Sequence, residues 1–258
     1  MTQTHNPEAP HLPASSGQSA PALRRLLEKL GWATVLILVF TGLSSIVGRG
    51  LFLIEALAMA PADPDAAFNA FDVRYYNNPL TSFLHLIPGT LVALLGPLQF
   101  IPSLRKKYLR WHRLSGRLYV AAGATGAVTG FLIGALHPFM GFNGVGFNEA
   151  MATAFFSALV LFCLGMAVYH VRYKRIGLHR EWMIRGFALM LAIATERLML
   201  SAMMALLDIE IGVLFGTSFW MAGVLHLAVA EYWISLTRTP APGNRHWKDL
   251  DSRAAAAD

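Results

Sequence analysis

The sequence predicts an all-α fold, a polytopic membrane helix bundle with six transmembrane helices and both termini cytoplasmic. Three observations predict it. Hydrophobic residues make up 55% of the 258 and charged residues only 14%, whereas soluble domains carry roughly 25% charged residues. So few charges cannot cover a soluble surface. Six apolar runs of about 20 residues recur, each long enough to cross a hydrocarbon core of ~30 Å. The segments between them alternate in charge. A disordered protein, a coiled coil and an ordinary cytosolic enzyme are excluded.

Residues 1–30 read as a cytoplasmic tail. Met1 to about Pro21 is rich in Pro, Ser, Ala and Gly and cannot bury a core. Ala22–Leu30 sets Arg24, Arg25 and Lys29 among leucines, as an amphipathic lead-in. The transmembrane domain occupies 31–237, with runs at Trp32–Ile54, Leu80–Phe100, Leu118–Leu136, Ala150–Val168, Met183–Leu207 and Val213–Leu236. Residues 238–258 form a second cytoplasmic tail. Ala58-Met59-Ala60 resembles a signal-cleavage site, but the run before it is too long for a signal h-region of about 7–15 residues and contains Arg49.

Charge sets the orientation. Ser103–Arg117 holds Arg105, Lys106, Lys107, Arg110, Arg113 and Arg117 with no acid, and Val171–Arg185 holds five bases against Glu181 alone. The segments assigned to the other side hold Glu55, Asp63, Asp65, Asp72, Glu149, Asp208 and Glu210, with Arg74 the one base. Positive charge stays inside, which fits a bacterial cytoplasmic membrane. Trp32, Trp111, Trp182 and Trp233 fall at the inner interface, where an aromatic belt belongs. The formal charge of +6 is therefore read as facing anionic lipid headgroups. No nucleic-acid motif accompanies it.

Packing signals follow. The third run spaces Gly126, Gly130 and Gly134 four apart after Ala122, a ridge that lets a neighbouring helix or a second subunit approach closely. Pro88-Gly89 and Pro97 interrupt the second run and loosen the carbonyls of Leu84 and Ala93. Broken backbone at membrane depth marks a kink or a binding site. Cys163 is the single cysteine, so it reads as a small apolar residue, with no intrachain disulfide or thiolate cluster.

Ionisable residues inside a bilayer are functional candidates. At 1.5 Å per residue, Arg49 and His85 lie about 8 Å from the outer edge and Glu196 and Arg197 about 8–17 Å. They are expected to meet as one outer-half cluster, either an ion-pair network or a site for a ligand, ion or proton. Adjacent Glu196 and Arg197 point about 100° apart and cannot pair face to face. His226 and Glu231 form a deeper tier. At the inner rim two phrases rhyme, His112-Arg113…Arg117 and His179-Arg180…Arg185. Their arginine forks suit phosphate or carboxylate, so these six residues are candidates for anion or lipid binding.

These phrases carry a family resemblance. Asn78-Pro79-Leu80, His85-Leu86-Ile87-Pro88-Gly89 and Gly96-Pro97-Leu98-Gln99-Phe100 resemble the membrane-protein family called domain of unknown function 2306. So do His112-Arg113…Gly116-Arg117-Leu118-Tyr119, His179-Arg180…Trp182-Met183-Ile184-Arg185, Thr195-Glu196-Arg197-Leu198 and Glu231. The resemblance runs from about Asn77 to Glu231, and the family often has an apolar residue where Glu196 stands. It implies a multi-pass bacterial membrane protein and no particular activity.

The sequence favours a binding or transport-like protein with an intramembrane polar site. The alternative is a redox protein holding b-type haem or quinone, with His85 and His137, or His112 and His179, as the best-matched pairs. The interior pair His85 and His226 differs by roughly 12 Å in depth, so no haem and no other cofactor is expected. No zinc site is expected from His112, His170 and His179. The Gly-x-Ser-x-Gly, Walker, zinc-helix and dinucleotide motifs are missing. No catalytic residue is named, and His85 with Glu196 is the one acid–base arrangement left open.

Overall fold

The computed structural model describes residues 19–238. Residues 1–18 of the expected N-terminal tail and 239–258 of the C-terminal one lie outside the described residues, whereas 19–30 are already helical as the start of the first helix. Every element among those described is helical: α1 (Ser19–Met59), α2 (Pro64–Ala67), α3 (Ala70–Asn77), α4 (Pro79–Gln99), α5 (Pro102–Lys107), α6 (Leu109–Gly130) with a π-helical turn at Phe131–Ala135, α7 (Val145–Arg172), α8 (Ile176–Leu206) and α9 (Ile211–Thr237). Six of them are long and apolar enough to cross a membrane. They are the six apolar runs of the sequence, each begun earlier and α1, α7 and α9 also extended at the far end. α6 starts at Leu109, nine residues before its apolar run, because hydropathy marks the hydrocarbon slab and not the helix end.

The chain forms two compact units, one to Ile37 and one from Leu38. Between residues 19 and 37 the first is the leading part of α1. In the second, α6, α7, α8 and α9 pack in chain order, α9 also lies against α7, and α4 lies against α6. The later part of α1 touches α4 and α8: Ile46 is 3.5 Å from where a Cβ on Gly89 would sit, and Ala194 is 3.8 Å from the same position on Gly42. The membrane-length helices leave much apolar surface exposed, Phe40 and Leu80 among it, as expected where the solvent is hydrocarbon.

α4 runs through Pro88 and Pro97 without a break. The Leu84 carbonyl, which Pro88 leaves without its helical donor, is approached by Thr129 Oγ1 of α6 at 3.5 Å. The glycine ridge on α6 meets side chains rather than a bare backbone. A Cβ at 130 would lie 3.1 Å from His85 Cε1, and one at 134 would lie 2.8 Å from Thr153 Cγ2. Gly126 has nothing within 4 Å.

Two connectors shape one end of the bundle. Between α1 and α4, Asp63 caps α2 through the Asp65 and Ala66 N–H groups, and Pro64 opens that helix. Asn69 then caps α3, accepting the Asp72 N–H at 2.9 Å and donating to the Asp72 carboxylate at 2.8 Å. Between α6 and α7 the loop doubles back at Gly141 (φ +69) and Gly144 (φ +36), conformations that suit glycine. A Cβ at Gly146 would collide with the Gly141 carbonyl. That close crossing brings the Phe139 N–H 3.0 Å from Glu149 Oε2.

Candidate functional site

α3 carries Phe71, Asp72, Arg74 and Tyr75 into the end of the bundle. Residues three and four apart share a helix face, so Phe71 lies beside Arg74 and Tyr75. The Phe71 ring is approached by three guanidiniums from three elements: Arg74 of α3 at 4.5 Å, Arg49 of α1 at 5.0 Å and Arg197 of α8 at 5.5 Å. Phe139 and Phe215 complete an aromatic cage around the same cations. Such contacts contribute about 0.5–1 kcal/mol at exposed sites and ~2 when desolvated.

Each arginine has a different acid. Arg49 pairs with Asp72, and the pair stays partly exposed at 21% and 23%. Arg74 pairs with Glu149 of α7, where both are buried, at 7% and 1%. Glu149 is fully partnered, since its second oxygen receives the Phe139 N–H. Glu196, also 1% exposed, is not. Its Oε1 lies 3.2 Å from Ser218 Oγ of α9. Its Oε2 lies 3.5 Å from Arg197 Nε and has no hydrogen bond. The neighbours do approach, contrary to the expectation from helix geometry, but without a hydrogen bond. The Arg197 guanidinium lies against Phe71 and Phe215 instead, each at 5.5 Å.

The field of these groups is felt by Tyr75. Burial pushes its phenol up, but Arg74, Arg197 and Arg49 together hold it below the ordinary tyrosine value. Burial likewise works against the charge on Arg74, and Tyr75 and Glu149 more than offset it, so its pKa stands above the usual value. Beside this cluster is an open cleft of about 340 Å³, lined by Arg74, Asn77, Asn78, His137, Phe139 and Phe142 among others.

The structure thus brings Arg49 and Arg197 to one ring, sets Glu196 beside Arg197, and hydrogen-bonds His85 to α6. His85 Nδ1 lies 3.0 Å from the Gly126 carbonyl and 3.2 Å from Thr129 Oγ1. A carbonyl only accepts, so Nδ1 carries the proton and Nε2 is left with a lone pair. His137 and His179 are held the same way, by the carbonyls of Leu132 and Ala167, both at 2.9 Å. His226 Nε2 is 2.7 Å from Thr195 Oγ1. Glu231 forms a two-pronged pair with Arg185, at 2.5 and 3.0 Å, so this rim arginine is already engaged. Arg180 donates to Thr237 Oγ1 at 2.8 Å, Arg113 and Arg117 are exposed, and His112 is half-buried. Among the described residues no three His, Cys, Asp or Glu side chains form a metal-binding group.

Asp72, Arg74 and Glu149 were not singled out from the sequence, because connector charges read as solvated. A signal was available. Asn69 and Asp72 are spaced as a helix cap, and the helix they start puts Phe71, Arg74 and Tyr75 on one face.

The fold defines an all-α, multi-pass membrane protein, with an ion-paired, aromatic-lined cluster at one end of its helices. The family described as "Predicted membrane protein (DUF2306)" matches residues 82–234, and the chain belongs to it. No curated protein and no solved structure matches the chain.

Proposed function

We propose that this protein binds, and transfers across the bacterial cytoplasmic membrane, a small polar solute taken up at the α3 end of the helices. In this reading both ends of the six-helix segment are cytoplasmic and the α3 end faces outward, as the basic connectors on the opposite side require. The observation that carries the reading is the convergence of Arg49, Arg74 and Arg197 on Phe71 beside an open cleft. Structural ion pairs do not need three cations on one ring. Ligand sites do combine apolar walls with a few converging polar groups.

The test is the melting temperature of the detergent-purified protein against a panel of small carboxylates, phosphates, amines and neutral polar solutes. At least one class is expected to raise it, and Arg197→Gln is expected to lose that rise. A flat response across the panel, or an unchanged rise in Arg197→Gln, refutes the reading.

A second reading is a redox protein holding b-type haem or quinone. What favours it is the open Nε2 of His85 and of His137, each held by a main-chain carbonyl in the way that orients a ligating imidazole. A visible absorption spectrum separates the two readings in one measurement.

A further inference from the structure

We infer that Glu196 holds a resident proton at neutral pH, and that Arg197 is thereby left as the uncompensated cation that receives an anionic group. The argument rests on which donors each buried carboxyl has. Glu149 and Glu196 are equally buried, at 1%, but their surroundings differ in kind. Glu149 has a guanidinium on one oxygen and a backbone N–H on the other. That is what an ionised buried carboxylate needs. Glu196 has no such set.

Among the described residues Ser218 is the one hydroxyl hydrogen-bonded to Glu196, and it has a single proton to give. Ser218 Oγ lies 2.9 Å from the Phe215 carbonyl and 3.2 Å from Glu196 Oε1. In the proposed state the Ser218 proton goes to the shorter of its two contacts, the Phe215 carbonyl. Glu196 Oε1 and Ser218 Oγ then face each other with no hydrogen between them unless Glu196 supplies one. A protonated Oε1 resolves this: Glu196 donates to Ser218, and Ser218 donates to Phe215. Oε2 becomes the carbonyl oxygen of a neutral acid, for which lacking a donor is a small penalty. For an ionised carboxylate the same lack is a large one.

The groups facing Glu196 are Arg197 from its own helix, Ser218 from α9, Glu149 from α7 and Arg74 from α3. Arg74 is committed to Glu149. Arg197 lies along two aromatic faces and makes no side-chain hydrogen bond to the described residues. With Glu196 neutral, the carboxylates paired with Arg49, Arg74 and Arg197 among the described residues are those of Asp72 and Glu149. One positive charge is left over, and it belongs to Arg197, whose side chain is 31% exposed. A guanidinium with free N–H groups suits the paired oxygens of a carboxylate or phosphate. Two buried carboxyls kept in opposite protonation states are a recurring way to separate roles within one site. The anion assignment rests on the solute-binding reading above, whereas the protonation of Glu196 does not.

The experiment is infrared spectroscopy of the full chain in detergent at neutral pH, as wild type, Glu196→Gln and Glu149→Gln. The wild type is expected to show the carbonyl stretch of a protonated carboxylic acid, shifted on transfer to D2O. Glu196→Gln should lose that band and melt at the wild-type temperature, because its amide N–H also donates to Ser218. Glu149→Gln should keep the band. No band in the wild type, a band that survives Glu196→Gln, or a Glu196→Gln protein that fails to fold overturns the resident proton. For the anion, inorganic phosphate and phosphatidylglycerol nanodiscs are compared as soluble and lipid sources of the same chemistry. A larger melting rise in wild type than in Arg197→Gln with either source supports the assignment and names the source. Equal rises with both overturn it, and the infrared result stands apart from that outcome.

Discussion

Replacing Arg74 by methionine should destabilise the protein far more than the same change at Arg49, although both arginines lie against the Phe71 ring. The magnitude follows from burial. Arg74 and Glu149 are exposed by only 7% and 1%, so removing the guanidinium leaves Glu149 charged with nothing but the Phe139 N–H. Breaking a buried pair in this way costs about 3–5 kcal/mol, to which lost guanidinium–aromatic contacts add ~1 kcal/mol. The Arg49–Asp72 pair keeps 21% and 23% of its surface in contact with solvent. Pairs of that kind contribute roughly 0–1 kcal/mol, so Arg49→Met should cost about 1–2 kcal/mol once its own ring contacts are counted. Arg175→Leu, on an exposed turn, should lie within about 0.5 kcal/mol of wild type. The assay is denaturation of the purified protein in detergent, with the double variant Arg74→Met/Glu149→Gln beside the single ones. The double variant should recover much of the loss, since the uncompensated charge is gone. Equal shifts for Arg74→Met and Arg49→Met, or a double variant no better than Arg74→Met, would refute the reasoning.

Three further outcomes are expected. Reporter fusions after Ser103 and after Ile176 should read cytoplasmic and one near Asp72 periplasmic; a periplasmic signal at Ser103 ends the proposed orientation. The purified protein should show no Soret band, and stoichiometric haem would promote the redox reading over solute binding. Gly134→Ala should destabilise by about 1–3 kcal/mol through overpacking, because the new methyl meets Thr153 Cγ2 at 2.8 Å. Gly126→Ala, with nothing within 4 Å, should be neutral or stabilising, and identical melting shifts at the two glycines would show the ridge is not packed as described.

The six membrane helices were legible because bilayer thickness fixes the length of an apolar run whatever the residues do in detail. Part of the site was legible for a related reason. An ionisable residue in such a run has few places to go, and this singled out Arg49, Glu196 and Arg197. Depth along a helix does not give the direction around it, however. His85 shares its expected depth with Arg49, yet it turns to the Gly126 carbonyl of α6, while Arg49 turns to α3. The spacing of two neighbours also says which way their side chains start and not where they end. Long side chains let Glu196 and Arg197 come within 3.5 Å.

What remained hidden was the organising element. α3 is eight residues long and its mean hydropathy is unremarkable for a connector, so nothing in a hydropathy profile distinguishes it from solvated loop. Yet its two turns supply the ring on which the arginines converge, one acid for α1 and one base for α7. The partners of those groups lie 23 and 75 residues away in the chain, beyond any local pattern. Because α3 holds its partners through charge while the helices hold each other through apolar packing, salt should act on the two unequally. Raising ionic strength screens a half-exposed pair such as Arg49–Asp72 more than a buried one such as Arg74–Glu149. Arg49 should therefore separate from α3 first, while Arg74 stays fixed to α7. Hydrogen exchange at the α3 amides with increasing salt reads this directly: faster exchange in wild type, and a smaller salt effect in Arg49→Met, are expected. A salt effect of the same size in both proteins would mean that this pair does not hold α3 in place.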